Sequence, residues 1–299
     1  MEKEKGINVC SLFDGIATTY LALEQLGIKI NNYFTSEICK NAIRVSKYHF
    51  GDKITQLGDV RNVNGNDLPN IDLLVAGFPC VDLSSMRKDR LNLEGEKSGL
   101  FFEALRIHEE IREKNPNCVF LYENVGSMCK HAKKRIDDLL GVTGIPINSN
   151  LVSAQNRHRI YWTNIPNITL PENRNIKLQD IIESGYVDRE KSNCVLTKGV
   201  PLTWQGVNRY LTKSIGCIIY NEKEYTEYSK AGKLFVIDAL RDADIKQEFR
   251  LPTVTELERL QTLPDGYVGE VLKKTASHHV IGKGFTLEII KHILSFAQF

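Results

Sequence analysis

Apolar residues fall along this chain in short runs separated by stretches of helical period. "NVCSLF", "NNYFTS", "ITQLG", "DLLVAGF" and "CVFLY" are brief, partly β-branched or aromatic, and bounded by Asp, Gly, Pro or Glu, which predicts strands. Between them "TTYLALEQLG", "CKNAIRVSKYHFG" and "SGLFFEALRIHEEIREK" repeat apolar residues at three- and four-residue spacing, which predicts amphipathic helices. Strand and helix in alternation imply an α/β fold, doubly wound about a largely parallel sheet. The regularity weakens after "RIYWTNIP", at Pro166, and returns with the helical "TVTELERLQTLP". A first lobe over residues 1–165, a smaller inserted domain over 166–249 and a return over 250–299 are therefore expected. The closing "FTLEIIKHILSF" has an apolar face suited to pack on the first lobe.

Ligands of open α/β sheets collect at the carboxyl ends of the strands, so the residues after each apolar run are the first candidates for chemistry. The first run, ending in Phe13, leads into Asp14, Gly15 and Ile16. The second ends at Glu37 and Ile38, the third at Asp59 and Val60, the fourth at Pro79 and Cys80, the fifth at Glu123 and Asn124. One glycine stands where a dinucleotide fingerprint has three, yet Glu37 lies 22 positions after Gly15, near the ~20 at which an acid meets a ribose hydroxyl. Asp59 is placed to hold an adenine amino group. Each acid alone is as readily a solvated strand end; together they point to an adenosine-bearing cofactor.

A buried free cysteine is usually inert, but Cys80 follows Pro79 at a strand end and precedes a polar loop. An exposed thiol in an electropositive setting becomes a nucleophile. Glu123, beside Asn124 at a neighbouring strand end, supplies a carboxyl that partial desolvation would let hold a proton near neutral pH. In "SAQNRHRIYW", Arg157 and Arg159 alternate on one side of an expected strand. Such guanidinium groups stabilise a thiolate or bind a carbonyl oxygen; a solvated strand face is the plainer reading.

Charge adds little, since 39 Lys and Arg against 37 Asp and Glu leave +2, and any surface for a polyanion must be local. The seven cysteines include no CxxC pair and the histidines no zinc spacing, which leads us to expect a reduced, cytoplasmic protein without a metal. No run approaches the ~20 apolar residues of a membrane span.

Taken in order, these stretches resemble the cytosine-C5 DNA methyltransferases across nearly the whole chain outside the insertion. "LFDGIAT", Glu37, "GDV", "GFPCVDLS", "YENV", "QNRHR" and "TVTELERLQTLPDGY" look like successive motifs of that family, and "FDGIAT", "PCVDLS" and "GLFFE" lean towards its de novo branch. The resemblance implies S-adenosyl-L-methionine as cofactor, framed by Phe13, Asp14, Gly15, Ile16, Glu37, Ile38, Asp59, Val60, Pro79, Lys283 and Phe285. It implies that Cys80 adds to C6 of a cytosine flipped out of duplex DNA. Glu123 would serve N3, Asn124 would orient it, Arg159 would contact O2, and Arg157 would support the thiol and Glu123. The loop from about 82 to 99, with Ser84, Arg87, Lys88 and Arg90, would close over the base and touch phosphates.

The insertion would then be the target-recognition domain. It holds 12 basic and 12 acidic residues, but none of the acids lies between Lys191 and Tyr220. There Lys198, Arg209 and Lys213 for phosphates stand beside Gln205 and Asn208 for base edges, a set that a chance gap in acids would also produce. Arg250 matches the family arginine that braces this domain. Lys283, in "GKGFT" where the family commonly has Gly-Asn, raises carboxy-S-adenosyl-L-methionine as a second candidate donor, with methyl transfer still expected first. A tRNA cytosine methyltransferase and a non-catalytic DNA-binding relative are the competing functions; a nicotinamide dehydrogenase fits the single-glycine loop poorly. A bacterial or phage source and a cognate restriction endonuclease as partner agree with the short chain, whose oligomeric state stays open.

Overall fold

The structure, a computed structural model, describes residues 6–84, 90–230 and 242–299. Arg87 and Lys88 lie outside the described residues. A seven-stranded sheet runs in the order β3-β2-β1-β4-β5-β7-β6. Its strands are β1 (Ile7–Leu12), β2 (Ile30–Ser36), β3 (Ile54–Gln56), β4 (Leu73–Ala76), β5 (Val119–Val125), β6 (Ile145–Asn148) and β7 (His158–Thr163). The strands from β1 to β5 pair in parallel, whereas β7 runs antiparallel to both β5 and β6.

Helices α1 (Thr18–Gln25), α2 (Lys40–Phe50), α3 (Leu100–Lys114) and α4 (Lys130–Leu140) connect the strands. The central strands are buried on both faces, which is why β4 reads as an unbroken apolar run instead of an alternation. On α3, Phe101, Ala104, Ile107, His108 and Ile111 recur at helical spacing and are the buried face. The chain goes outward from β1 to β2 and β3, then returns to add β4 on the other side of β1. Such a reversal of strand order opens a crevice beyond the carboxyl ends of the two strands it separates, here flanked by residues 13–16 and 77–80.

The chain divides into two compact units. One comprises Met1–Asn148, His158–Leu170 and Leu287–Phe299; the other comprises Ser149–Arg157 and Pro171–Thr286. The second unit thus takes in more than the compositional insertion over 166–249. Residues 149–157 belong to it because their side chains bond there: Ser153 Oγ donates to Leu260 O at 2.6 Å, and Gln155 Nε2 to Gln261 Oε1 at 2.8 Å. Its elements are α5 (Leu178–Ile181), α6 (Trp204–Lys213), β8 (Ile219–Tyr220), α7 (Lys223–Lys230), α8 (Asp242–Glu248), β9 (Phe249–Arg250), α9 (Val254–Leu260) and α10 (Lys274–Lys283). A small core of Val200, Val207, Tyr210, Ile218, Tyr220 and Phe249 holds it. The last helix, α11 (Leu287–Leu294), belongs to the first unit and packs against α1. Among the described residues no helix is long and apolar enough to cross a membrane.

Candidate active site

Cys80 lies four residues past β4 on a fastened loop. Asn124, buried at the end of β5, donates from Nδ2 to Phe78 O at 2.8 Å, while its Oδ1 accepts from Val125 N at 2.8 Å. The backbone curls beyond the thiol, where Leu83 N and Ser84 N both donate to Cys80 O at 3.0 Å. Ser98 clamps the loop from another side: its Oγ donates to Pro79 O at 3.0 Å and accepts from Asp82 N at 3.2 Å, and its N donates to Asp82 Oδ2 at 3.3 Å. Gly95 is pressed on Asp82 so closely that a Cβ would lie 2.3 Å from Oδ2. The Cys80 thiol itself is half-buried. Nothing in the sequence marks Asp82 and Ser98 as partners, since a lone Ser in "GEKSGL" carries no signal of a clamp. Arg90 Nη1 donates to Ser127 O at 3.2 Å.

Next to this loop, β5 and β7 place an acid and a guanidinium on one face. Glu123 is opposite Tyr161 and Arg159 opposite Val125, which makes Glu123 and Arg159 diagonal neighbours. Arg159 Nε meets Glu123 Oε1 at 2.8 Å, with side chains 12% and 11% exposed. An ion pair so far from water fixes the acid, since removing either partner strands a charge. Arg157 departs from the shared strand face expected of it, because β7 begins only at His158. Buried in the second unit, it donates to Gly284 O at 2.8 Å, to Gly282 O at 3.4 Å and to Cys194 Sγ at 3.4 Å.

The ends of β1, β2 and β3 form the other flank. Phe13 (φ 56°), Gly15 (φ 63°) and Ala17 (φ 58°) are left-handed, a conformation that costs non-glycine residues free energy and marks a constrained turn. Glu37 holds that turn: Oε2 accepts from Gly15 N at 2.9 Å, and Oε1 from Ile38 N and Cys39 N at 2.8 and 2.7 Å. Asp14 faces inward instead. Its carboxylate accepts from Ser11 Oγ at 2.6 Å, Tyr33 OH at 2.8 Å and Thr35 Oγ1 at 3.0 Å. Burial pushes Asp14 up to about 6, against the pull of those three bonds. Asp59 accepts from Arg61 N and pairs with its guanidinium at 2.5 Å, which lowers it to about 2. Val60 and Ile16 are buried core residues.

An adenosine-bearing cofactor fits this flank. A Cβ on Gly15 would meet nothing within 4 Å, so the space beside the turn is open. A Glu37 carboxylate with lone pairs to spare suits ribose hydroxyls, and Ile38, 68% exposed, offers apolar surface. Thr18 Oγ1, buried in the first turn of α1, has no hydrogen-bond partner.

In the second unit, α6 is capped by Thr203 Oγ1, which accepts from Gly206 N at 3.3 Å. It buries Val207 and Tyr210 and exposes Gln205, Arg209 and Lys213 at four-residue spacing, with Asn208 half-buried. Lys191 is structural, its ammonium donating to Asn150 O, Ser153 O and Ile176 O at 2.7, 2.9 and 2.6 Å. Arg250 makes a two-toothed pair with buried Glu256, at 2.8 and 2.7 Å. Lys198 and Lys283 are exposed and Phe285 is buried.

The sheet order and its crevice define a methyltransferase-type α/β fold. It is shared by the Entamoeba histolytica methyltransferase EhMeth (15% identity, TM-score 0.68, covering 98% of each chain) and S. pombe Dnmt2 (14%, 0.67, 97% of each). A profile described as C-5 cytosine-specific DNA methylase matches residues 7–297. The chain belongs to this family of DNA methyltransferases. It is similar to the Type II methyltransferase M1.ScrFI of Lactococcus lactis subsp. cremoris, 30% identical over 86% of this chain and 69% of that protein. It also resembles M.Bsp6I of Bacillus sp. (strain RFL6), 34% identical over 58% of this chain and 56% of that protein. With the orphan methyltransferase M.Rho11sI of Bacillus phage rho11s it shares 30% identity over 64% of this chain and 37% of that protein.

Proposed function

We propose that this chain transfers a methyl group to C5 of cytosine in double-stranded DNA through a covalent bond between Cys80 and C6. The observation that carries the reading is the joining of three strand ends: Asn124 ties the Cys80 loop to β5, whose Glu123 is paired with Arg159 on β7. A cytosine C5 is a poor nucleophile. Addition of the Cys80 thiolate to C6, with Glu123 delivering a proton to N3, leaves C5 enamine-like. S-adenosyl-L-methionine, when bound, supplies the electrophilic methyl group. Loss of the C5 proton to a base and cleavage of the S–C6 bond, with N3 returning its proton to Glu123, then restore the ring double bond, the carboxyl and the thiolate.

Arg159 keeps Glu123 aimed and reaches the base at O2. Gly15, Glu37 and Ile38 hold the nucleoside part of the cofactor, and Asp14 shapes their turn from beneath. A base stacked in a duplex cannot reach a half-buried thiol, so the target is flipped out. Gln205 and Asn208 of α6 read base edges while Arg209 and Lys213 hold phosphates, with the region 166–249 as the core of the target-recognition domain.

The test is a trap. Duplex DNA carrying 5-fluorocytosine, incubated with the protein and S-adenosyl-L-methionine, should yield an adduct that survives denaturation and is absent in Cys80→Ala, because fluorine cannot leave C5 as a proton does. No adduct over a varied pool of sequences, with cofactor binding confirmed, would move the reading to RNA or to a non-catalytic DNA-binding role. Running carboxy-S-adenosyl-L-methionine in parallel decides the donor: turnover with the methyl donor alone rules out carboxymethyl transfer.

A further inference from the structure

Two stretches of the second unit contain no acid. One runs from Lys191 to Tyr220; the other, 271–286, carries Lys273, Lys274, His278, His279 and Lys283. The fold lays one on the other. Leu196 and Thr197 cross α10 at Gly282, where a Cβ would meet Leu196 O at 2.2 Å and Thr197 N at 2.9 Å. Gly199 abuts His278, its Cβ position 3.6 Å from Nε2. Lys198, between these two contacts, is thereby held over the helix.

On α10, His279 and Lys283 are four residues apart and share a face. Both lysines are exposed and His279 is half-buried. Burial, then the charges of Lys283 and Lys198, hold His279 below the ordinary histidine range. Lys283 does not neutralise its own helix end alone, since the carbonyls of Gly282 and Gly284 are engaged by Arg157. Lys283 and Lys198 surround His279 with positive charge that disfavours its protonated form, and neither stretch contains an acid to offset them. Such an arrangement becomes favourable when an anion sits among the three groups.

We propose that Lys198, His279 and Lys283 form a cradle for a backbone phosphate of the DNA. The proposal rests on the reading above that duplex DNA is the substrate, and it moves Lys283 from the cofactor to the nucleic acid. The groups acting on His279 are Lys283 on its own helix and Lys198 from the overlying loop, while Lys274 acts on His278 and Arg157 lies at the helix end. A phosphate among them lets His279 hold its proton to higher pH than in the free protein, so binding tightens as pH falls through that interval.

Fluorescence anisotropy of the full chain on a labelled duplex, over a salt series, tests this. Lys198→Gln and Lys283→Gln should each weaken binding several-fold and reduce the slope of log Kd against log salt by about 0.9, one phosphate contact's worth. Lys283→Arg should keep the slope, and His279→Gln should abolish the added affinity at low pH. Calorimetry should show unchanged S-adenosyl-L-methionine affinity in all of them. An unchanged slope in both glutamine variants overturns the cradle. So does loss of cofactor affinity at an unchanged slope, which would make the anion the carboxylate of the cofactor. A wild-type chain that binds no duplex sinks the DNA reading itself, before any variant is made.

Discussion

Around Cys80 the polar side chains are paired: Asn124 with the Phe78 carbonyl, Ser98 with Pro79 and Asp82, Glu123 with Arg159. On α6 and across α10 the cations stand exposed on stretches without acids. The first pattern holds atoms at fixed positions before any substrate arrives, as bond-making requires. The second stores repulsion that a polyanion relieves. The same residue type, arginine, shows the contrast: Arg159 is fixed on Glu123, whereas Arg209 extends from a helix face.

The sharpest break in this comparison is Cys80→Ala, which should abolish the 5-fluorocytosine adduct and lower turnover by more than ~10³-fold while duplex binding persists. Glu123→Gln should reduce kcat by roughly 10² to 10⁴, the usual span for a proton donor, measured as methyl incorporation in a single turnover. Ser98→Ala leaves a buried carbonyl and N–H without their hydroxyl partner, costing about 1 to 3 kcal/mol in urea melts, and should lower kcat more than it raises KM for DNA.

Asp14 sharpens the contrast from below. Its carboxyl, raised to about 6 in the fold, binds its proton more tightly folded than unfolded. Its contribution to stability is therefore complete at pH below the ordinary carboxylate range and is lost as pH rises through about 6. Asp14→Asn should flatten that decline, by about 2 to 3 kcal/mol between pH 4 and 7, in melts across that range. The smallest effect belongs to the other region: Arg209→Ala should change stability by less than about 0.5 kcal/mol, yet weaken duplex binding in the anisotropy assay.

The central strands were readable because burial on both faces turns β1, β4 and β5 into apolar runs with polar stops. The short edge strand β6, with Pro146 in it, gave no such run. Cys80 and Glu123 stood out because each terminates one of those runs, and Glu37 because its spacing from Gly15 fits a nucleoside. What partners hold them was not readable. The Asn124 to Phe78 bond spans 46 residues and the Ser98 to Asp82 bond 16, distances over which no local pattern speaks. Arg157 and Arg159 look equivalent in "QNRHR", and only the start of β7 between them separates their environments.

The helix over Leu287–Leu294 packs on α1, which lies just after the first strand. A ribosome that has delivered residue 170 has produced all seven strands of the sheet but not the helix that covers α1. The sheet must therefore wait, with an apolar surface uncovered, while more than a hundred residues of another unit are made. During synthesis the nascent first unit depends on how quickly the second is completed, a window in which unpaired apolar surface favours aggregation.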